Sequence, residues 1–394
     1  MMKSQVDYSI LNESYLKGQE IGSGISEMKD PKIGLLYTSC NENNEDIIRG
    51  IKEYSDIPVI GMTSNYGVIV PDGIVTGSSG FAAMMTLDSP DLTVGLACHE
   101  AGKNPRAIGR RVAIEAVENA KTTRAPSYFY MVATPNNEEE YLQGIQDVIG
   151  RVPLFGGSAA DDNLEGDWKI ICNNKVITDG VAVAFFYTDT EIVTSFTGDY
   201  EETDHIGIIT KVENDRSLLE INGNGALKEY ASWINQDIKN LEGKELYEKA
   251  VLNPIGIKNP IGSITLIRQP LLSNDRGTKT TKDDSIELGN KIVEKTAIIG
   301  LETTLDNLIL SNVKVLKDAK RKLYNEPAAY ILMHSAGRRI KIDSRIDEVY
   351  KDLVKETKGV PFIMPFTCGE YGYDEHSANM CGGLMLSFTI FGKE

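Results

Sequence analysis

A chain of 394 residues suggests two or three domains and is ample for a large buried core. Charged residues make up 25%, which excludes wholesale disorder, and 41 Lys and Arg against 57 Asp and Glu give a net charge of −16. A surface this acidic repels phosphate backbones, so neither nucleic acid nor an anionic membrane is an expected partner. No apolar run approaches the ~20 residues that a bilayer-spanning helix needs. The longest, Val181 to Tyr187, reads as a buried strand. The start, Met1-Met2-Lys3-Ser4-Gln5, has no apolar stretch, so a secretory signal is not expected. Cys40, Cys98, Cys172, Cys368 and Cys381 are odd in number and scattered without a C-x-x-C, which argues against a disulfide framework or zinc knuckle. The expected setting is reducing and cytoplasmic.

Taken in chain order, the first ~30 residues read as a helix with weak caps around Gly22-Ser23-Gly24. A pattern then appears and recurs twice. Ile33 to Tyr37 is an apolar strand ending in Thr38-Ser39-Cys40. A helix follows with Ile47, Ile48 and Ile51 on one face. Ile57-Pro58-Val59-Ile60-Gly61 is a second strand that enters a small-residue turn, and further strands close on Gly80 to Met84. The second copy runs from Tyr128 to Ala133, through a helix carrying Tyr141, Leu142 and Ile145, to Val152-Pro153-Leu154-Phe155-Gly156. A hairpin turning at Asn173-Asn174 follows, and Gly180 to Tyr187 closes the unit. The third runs from Ala329 to Met333, through a helix with Ile346, Val349 and Leu353, to Val360-Pro361-Phe362-Ile363-Met364, and closes with Gly383 to Phe391. An extra strand and helix precede the second copy (Leu92 to Cys98, Pro105 to Ala120) and the third (Thr296 to Leu301, then a helix through Leu316). Residues 205 to 295 differ: a hairpin, a helix over Ala226 to Ile234, a strand over Ser263 to Arg268, and an exposed loop from Asn274 to Asp284. The expected fold is α/β, with mixed sheets built from repeated strand–helix–strand units carrying antiparallel hairpins, in two lobes. The boundaries are 1–30, 31–205 and 206–394, with the division near Asp204 to Gly207.

Ligands in open α/β sheets bind beyond the carboxyl ends of parallel strands. Glycine there lets a ligand approach the backbone, and consecutive free N–H groups hold anions. Gly156-Gly157-Ser158-Ala159-Ala160-Asp161-Asp162 fits, with two carboxylates for an ammonium group; the same residues also suit a tight turn capped by Asp161 or Asp162. Gly369-Glu370-Tyr371-Gly372 is the third-copy equivalent, and Arg338 at a strand end suits a carboxylate or phosphate clamp or a surface position. Arg268, in an apolar strand, reads as structurally paired. The four histidines have no metal-ligand spacing, and neither G-x-S-x-G nor a P-loop occurs. An enzyme built on Glu370 or a Cys381/His376 pair is the catalytic alternative.

The run Val152 to Asp162, followed by Asn173 to Val181, resembles the "P-h-h-G-G-S-A-x-D-D" signature of the FIST domain family, intracellular signal-transduction sensory proteins with N- and C-terminal parts. Glu220 to Ala226 resembles that family's "E-h-D-G-x-P-A", Ala336-Gly337-Arg338 its "C-A-G-R", and Gly369-Glu370 its "G-E-h". Ser335 replaces the cysteine of "C-A-G-R", and Ala378-Asn379-Met380-Cys381 stands in place of "H-N-x-T". The resemblance implies a FIST N-type domain over 31–205, a FIST C-type domain over 206–394, and a small-molecule ligand such as an amino acid or related metabolite. Output is expected to pass through a separate partner such as a kinase or chemoreceptor, and an oligomer is compatible with that expectation. It also implies an alternative, a haem-bearing gas sensor, for which His376 is the nearest histidine to the altered motif; otherwise no cofactor is expected. The expected ligand residues are Gly156, Gly157, Ser158, Asp161, Asp162, Arg338, Gly369, Glu370, Tyr371 and Asn379, walling one cavity between the halves.

Overall fold

The computed structural model describes residues 1–163, 165–241, 244–258, 264–271, 284–374 and 378–393. The loop read from Asn274 to Asp284, apart from its last residue, and His376 lie outside the described residues.

Three sheets of six strands share one plan. The first has the order Lys3–Ser9, Ala82–Asp88, Pro31–Thr38, Val59–Thr63, Ile170–Cys172, Lys175–Ile177. The second is Thr93–Glu100, Gly180–Tyr187, Tyr128–Ala133, Leu154–Ser158, Glu370–Tyr373, Asn379–Gly382. The third is Ile192–Thr197, Leu386–Gly392, Pro327–Ser335, Phe362–Thr367, Val68–Val70, Gly73–Val75. In each, the third and fourth strands pair in parallel and every other pair is antiparallel. The parallel pair is the strand–helix–strand unit read from the sequence.

The last two strands of each sheet are a hairpin lent by another unit. The hairpin of the first unit completes the third sheet, that of the second completes the first, and that of the third completes the second. Three backbone hydrogen bonds repeat this rotation where the middle strands end: Ala160 N–H to Thr63 O at 3.0 Å, Asn65 N–H to Phe366 O at 3.1 Å and Cys368 N–H to Ser158 O at 3.0 Å. Each middle strand thereby loses its free edge to a neighbouring unit, as an exposed ladder requires.

Apolar inner faces of all three sheets meet in one core that includes Tyr37, Ile60, Tyr130, Phe155, Phe186, Met333 and Phe391. Phe155 stacks on Tyr130 at 4.8 Å, and the buried Tyr37 and Tyr130 hydroxyls bond at 3.0 Å. Two helices cover the outside of each sheet: Ser14–Ile25 with Asn44–Lys52, Pro105–Ala120 with Glu138–Ile149, and Leu305–Lys320 with Ile346–Thr357. Asn43, Asn104 and Thr304 cap three of them by accepting from Asp46, Ala107 and Asn307 N–H. Lys3–Ser9, read as part of a helix, is a strand. Its side chains alternate along an outer edge against Ala82–Asp88, and the helix starts only at Ser14.

The strand Ala297–Glu302, read as the lead-in to the third copy, belongs elsewhere. The lead-in strand is Ile192–Thr197, and residues 201–302 are inserted between it and its helix. The insert folds as its own sheet around Ile209, Leu218, Ile221, Tyr230 and Trp233. Its strand Glu201–Glu213 runs through the boundary read at Asp204 to Gly207.

The helix pair of the second unit crosses closely because both contacts are glycine. A Cβ on Gly144 would lie 2.1 Å from Arg106 O, and one on Gly109 would lie 2.2 Å from Tyr141 O. Gly144→Ala is therefore expected to force the helices apart and to destabilise the protein by about 1–3 kcal/mol. Gly102→Ala, where the Cβ meets only the Ile108 side chain at 3.3 Å, should be near neutral in the same urea titration. Equal midpoints for the two variants would refute the close-crossing argument.

Candidate functional site

A cavity of about 60 Å³ lies beyond the carboxyl ends of parallel strands in the second and third sheets. Pro135 follows the strand Tyr128–Ala133, Ser335 ends Pro327–Ser335, and Thr367 and Cys368 end and follow Phe362–Thr367. Ala336 and Gly337 open a short helix, Trp168 precedes the lent hairpin of the second unit, and Gly383 and Leu384 precede the last strand. The insert supplies the remaining lining residues, Tyr247, Gln269 and Leu271. Gly337 leaves the space open: a Cβ there would meet Leu384 Cδ2 at 2.8 Å, Gln269 Nε2 at 3.1 Å and Tyr247 OH at 3.2 Å.

The two glycine-bearing turns do converge, but on each other rather than around this space. Gly156 and Gly157 pair with Tyr371 and Glu370, and Ser158 N–H donates to Gly369 O at 2.8 Å. Glycine is required at 156, where φ is +144° and a Cβ would lie 1.9 Å from Met131 O. None of the ten residues expected to hold the ligand lines the cavity. Asp161 caps its own loop, its Oδ2 accepting from the N–H groups of Glu165, Gly166 and Asp167 at 2.8–3.0 Å. Asp162 accepts from Tyr66 N–H, and Asn379 donates to Val152 O at 2.8 Å. Arg338, read as a clamp for a ligand's carboxylate, is fully buried. It donates to Gly198 O at 2.7 Å, to Leu384 O and Leu308 O at 3.3 Å, and to Ser311 Oγ. Its neighbour Gly337 faces the cavity instead.

Glu370 is also fully buried. Burial pushes its carboxyl up to about 8, against the opposing pull of hydrogen bonds from Thr367 Oγ1 and Met385 N–H and the charge of Arg338. Cys381 is buried, and burial with the charges of Glu139 and Glu138 pushes its thiol well above the ordinary range. A thiol held protonated is a poor nucleophile; the other half of the Cys381/His376 pair is outside the described residues. Among those residues no group of three or more His, Cys, Asp and Glu could hold a metal ion, and no helix is long and apolar enough to cross a membrane.

Ser158 has a different role. Its Oγ bonds Tyr371 OH at 2.7 Å and donates to Glu138 Oε1 at 3.3 Å. Glu138 and Glu139 both accept from Arg216 of the insert, at 3.2 and 2.8 Å. Lys291 adds an N–H to Glu139 and an ion pair to Glu140. Burial pushes the Glu139 carboxyl up, yet Arg216 and the Lys291 N–H hold it below the ordinary range. Arg268, read as structurally paired, is buried and donates to Lys291 O and Cys381 O. A buried polar chain thus runs from the junction of the turns through Ser158 to the clasp that seats the insert. Sequence reasoning missed Glu138 and Arg216, which look like ordinary solvated charges. It also passed over Gln269, whose signal was a polar residue closing an apolar strand.

The FIST N domain matches residues 32–224, and the FIST C domain matches residues 226–373. The chain belongs to the FIST family. FIST domains are sensory domains of signal transduction, and the resemblance read from the Val152 to Asp162 run holds across nearly the whole chain. The two FIST domains meet inside the insert, so its sheet draws strands from both. No curated protein matches. Among solved structures, a cyanuric acid hydrolase from A. caulinodans is similar at 8% identity and a TM-score of 0.40 over 100% of both chains. Another cyanuric acid hydrolase is similar at 10% identity and a TM-score of 0.32 over 100% of both. PurLQS from Thermotoga maritima is similar at 9% identity and a TM-score of 0.25, over 99% of this chain and 72% of that one.

The Glu370 carboxyl titrates higher in the fold than in the unfolded chain, so its protonated form stabilises the fold. That stability is complete below about pH 4.5 and is lost as pH rises through about 8. Glu370→Gln is expected to flatten the fall of the urea midpoint across this window relative to the unmodified protein. An unchanged slope would show that Glu370 is ionised throughout.

Proposed function

We propose that this FIST protein is a sensor that takes a small metabolite into the cavity under the insert. The resemblance implies amino acids or related metabolites as the broad class. The observation that carries the reading is the make-up of the walls: strand ends from two sheets on one side, and Tyr247, Gln269 and Leu271 of the insert on the other. A volume of about 60 Å³ accommodates a few waters. It is well below the ~150 Å³ that houses benzene in an engineered cavity. A metabolite-sized guest must therefore lift or reshape the insert side. Binding and movement of the insert are then one event, and a ligand that favours one position of the insert shifts that equilibrium.

The clasp of Glu138, Glu139 and Arg216 sets how firmly the insert is held, and Ser158 and Tyr371 extend it into the turn junction. In this reading the displaced insert is read by a separate signalling protein, a kinase or a chemoreceptor. The five cysteines, odd in number and scattered without a C-x-x-C, support a reducing, cytoplasmic setting.

A thermal-shift screen over a metabolite panel tests the reading. A ligand at ~100 times its dissociation constant adds about 2.7 kcal/mol of stability. Gly337→Val, which fills the cavity, is expected to abolish the shift while leaving a cooperative unfolding transition. Amide exchange in Thr265–Arg268 of the insert should change on binding. A folded protein that no compound stabilises, or a shift that survives Gly337→Val, would overturn the proposal.

A further inference from the structure

The character of the cavity narrows the ligand, on the reading that this is the binding site. Gln269 is 7% exposed, and its Nε2 is buried without a hydrogen-bond partner. That atom sits 3.1 Å from the point where Gly337 would carry a Cβ, so it faces the space that the glycine leaves. A buried amide donor left unsatisfied costs about 1–3 kcal/mol, which a guest's acceptor recovers. Around it, Pro135, Trp168, Leu271 and Leu384 give apolar walls with one broad aromatic ring.

The described lining residues carry no formal charge. Just behind them the Arg338 charge is committed to backbone carbonyls and Ser311, and the buried Glu370 carboxyl is committed to Thr367 Oγ1 and Met385 N–H. A zwitterion would bring both an ammonium and a carboxylate into this enclosure without a counter-charge from that lining, a far larger penalty than an unpaired amide.

We propose that the cavity selects a small, flat, uncharged molecule that presents a carbonyl oxygen or ring nitrogen to Gln269 Nε2, and that it rejects free amino acids. Gln269 is the specificity residue. Because it belongs to the insert, it also ties recognition to the element that moves. Tyr247 OH lies 3.2 Å from the same point above Gly337 and also borders the space.

The test titrates the full chain with three probe sets: uracil, nicotinamide and hydantoin; alanine, glutamine and glutamate; and benzoate as a flat carboxylate. The neutral set is expected to raise the melting temperature and the charged sets to leave it unchanged. Gln269→Leu should weaken neutral binding about ten-fold, the worth of one well-made hydrogen bond. Gln269→Asn, which withdraws the donor but keeps the amide, should do the same and serves where the leucine variant fails to fold. Stabilisation by the amino acids or benzoate, lost in Gly337→Val, would overturn the neutral class while sparing the cavity as the site. Neutral binding indifferent to both Gln269 variants would overturn the role of Gln269. Binding that survives Gly337→Val, or no binding by any probe, would overturn the cavity itself.

Discussion

The structure depends on one exchange: each six-stranded sheet is finished by a hairpin from a different unit, and the three transfers close a ring. The backbone bonds Ala160 to Thr63, Asn65 to Phe366 and Cys368 to Ser158 mark the same rotation at its inner rim. A sheet completed by its own hairpin would leave each unit self-contained, with only side-chain contacts between units. The exchange replaces these with main-chain ladders, which fix register as well as proximity. It is also what brings strand ends from different units together, and hence what gives the cavity walls from more than one sheet.

Much of this was legible in the sequence, for a definite reason. The central strands are buried on both faces and read as unbroken apolar runs, such as Tyr128 to Ala133 and Val181 to Tyr187. The helices between them show one apolar face. These local signals place every parallel pair. The exchange leaves no local signal, because Ile170–Cys172 with Lys175–Ile177 has the same pattern whichever sheet it joins. The insert hid the third lead-in strand by separating Ile192–Thr197 from its helix by more than a hundred residues. Lys3–Ser9, polar at most positions, carries an edge strand's alternation too faint to override the helical pattern after it.

The candidate site shows where motif reading stops short. The turns expected to wall a cavity at Gly156 and Gly369 instead pair as neighbouring strands, because small residues serve equally for access and for close packing. Arg338 illustrates the same ambiguity: a guanidinium fork fits carbonyl oxygens as readily as a carboxylate. The residues that line the cavity lie one to three positions away, at Ser335, Gly337, Thr367 and Cys368. The charges that seat the insert, Glu138, Glu139, Arg216 and Lys291, are distant in sequence and individually unremarkable. Only packing brings them together as one ion-pair network around the buried Glu138.

The ring of exchanged hairpins also bears on how the polypeptide is made. Glu370–Tyr373 and Asn379–Gly382 complete the second sheet, whose other strands lie between Thr93 and Tyr187. At ~5–20 residues per second on the ribosome, most of that sheet waits for tens of seconds with Leu154–Ser158 lacking its neighbour. Its unpaired ladder is the kind of surface on which nascent chains stick to one another. The amino-terminal FIST domain therefore lacks the outer edge of this sheet until Glu370–Tyr373 and Asn379–Gly382 have been made.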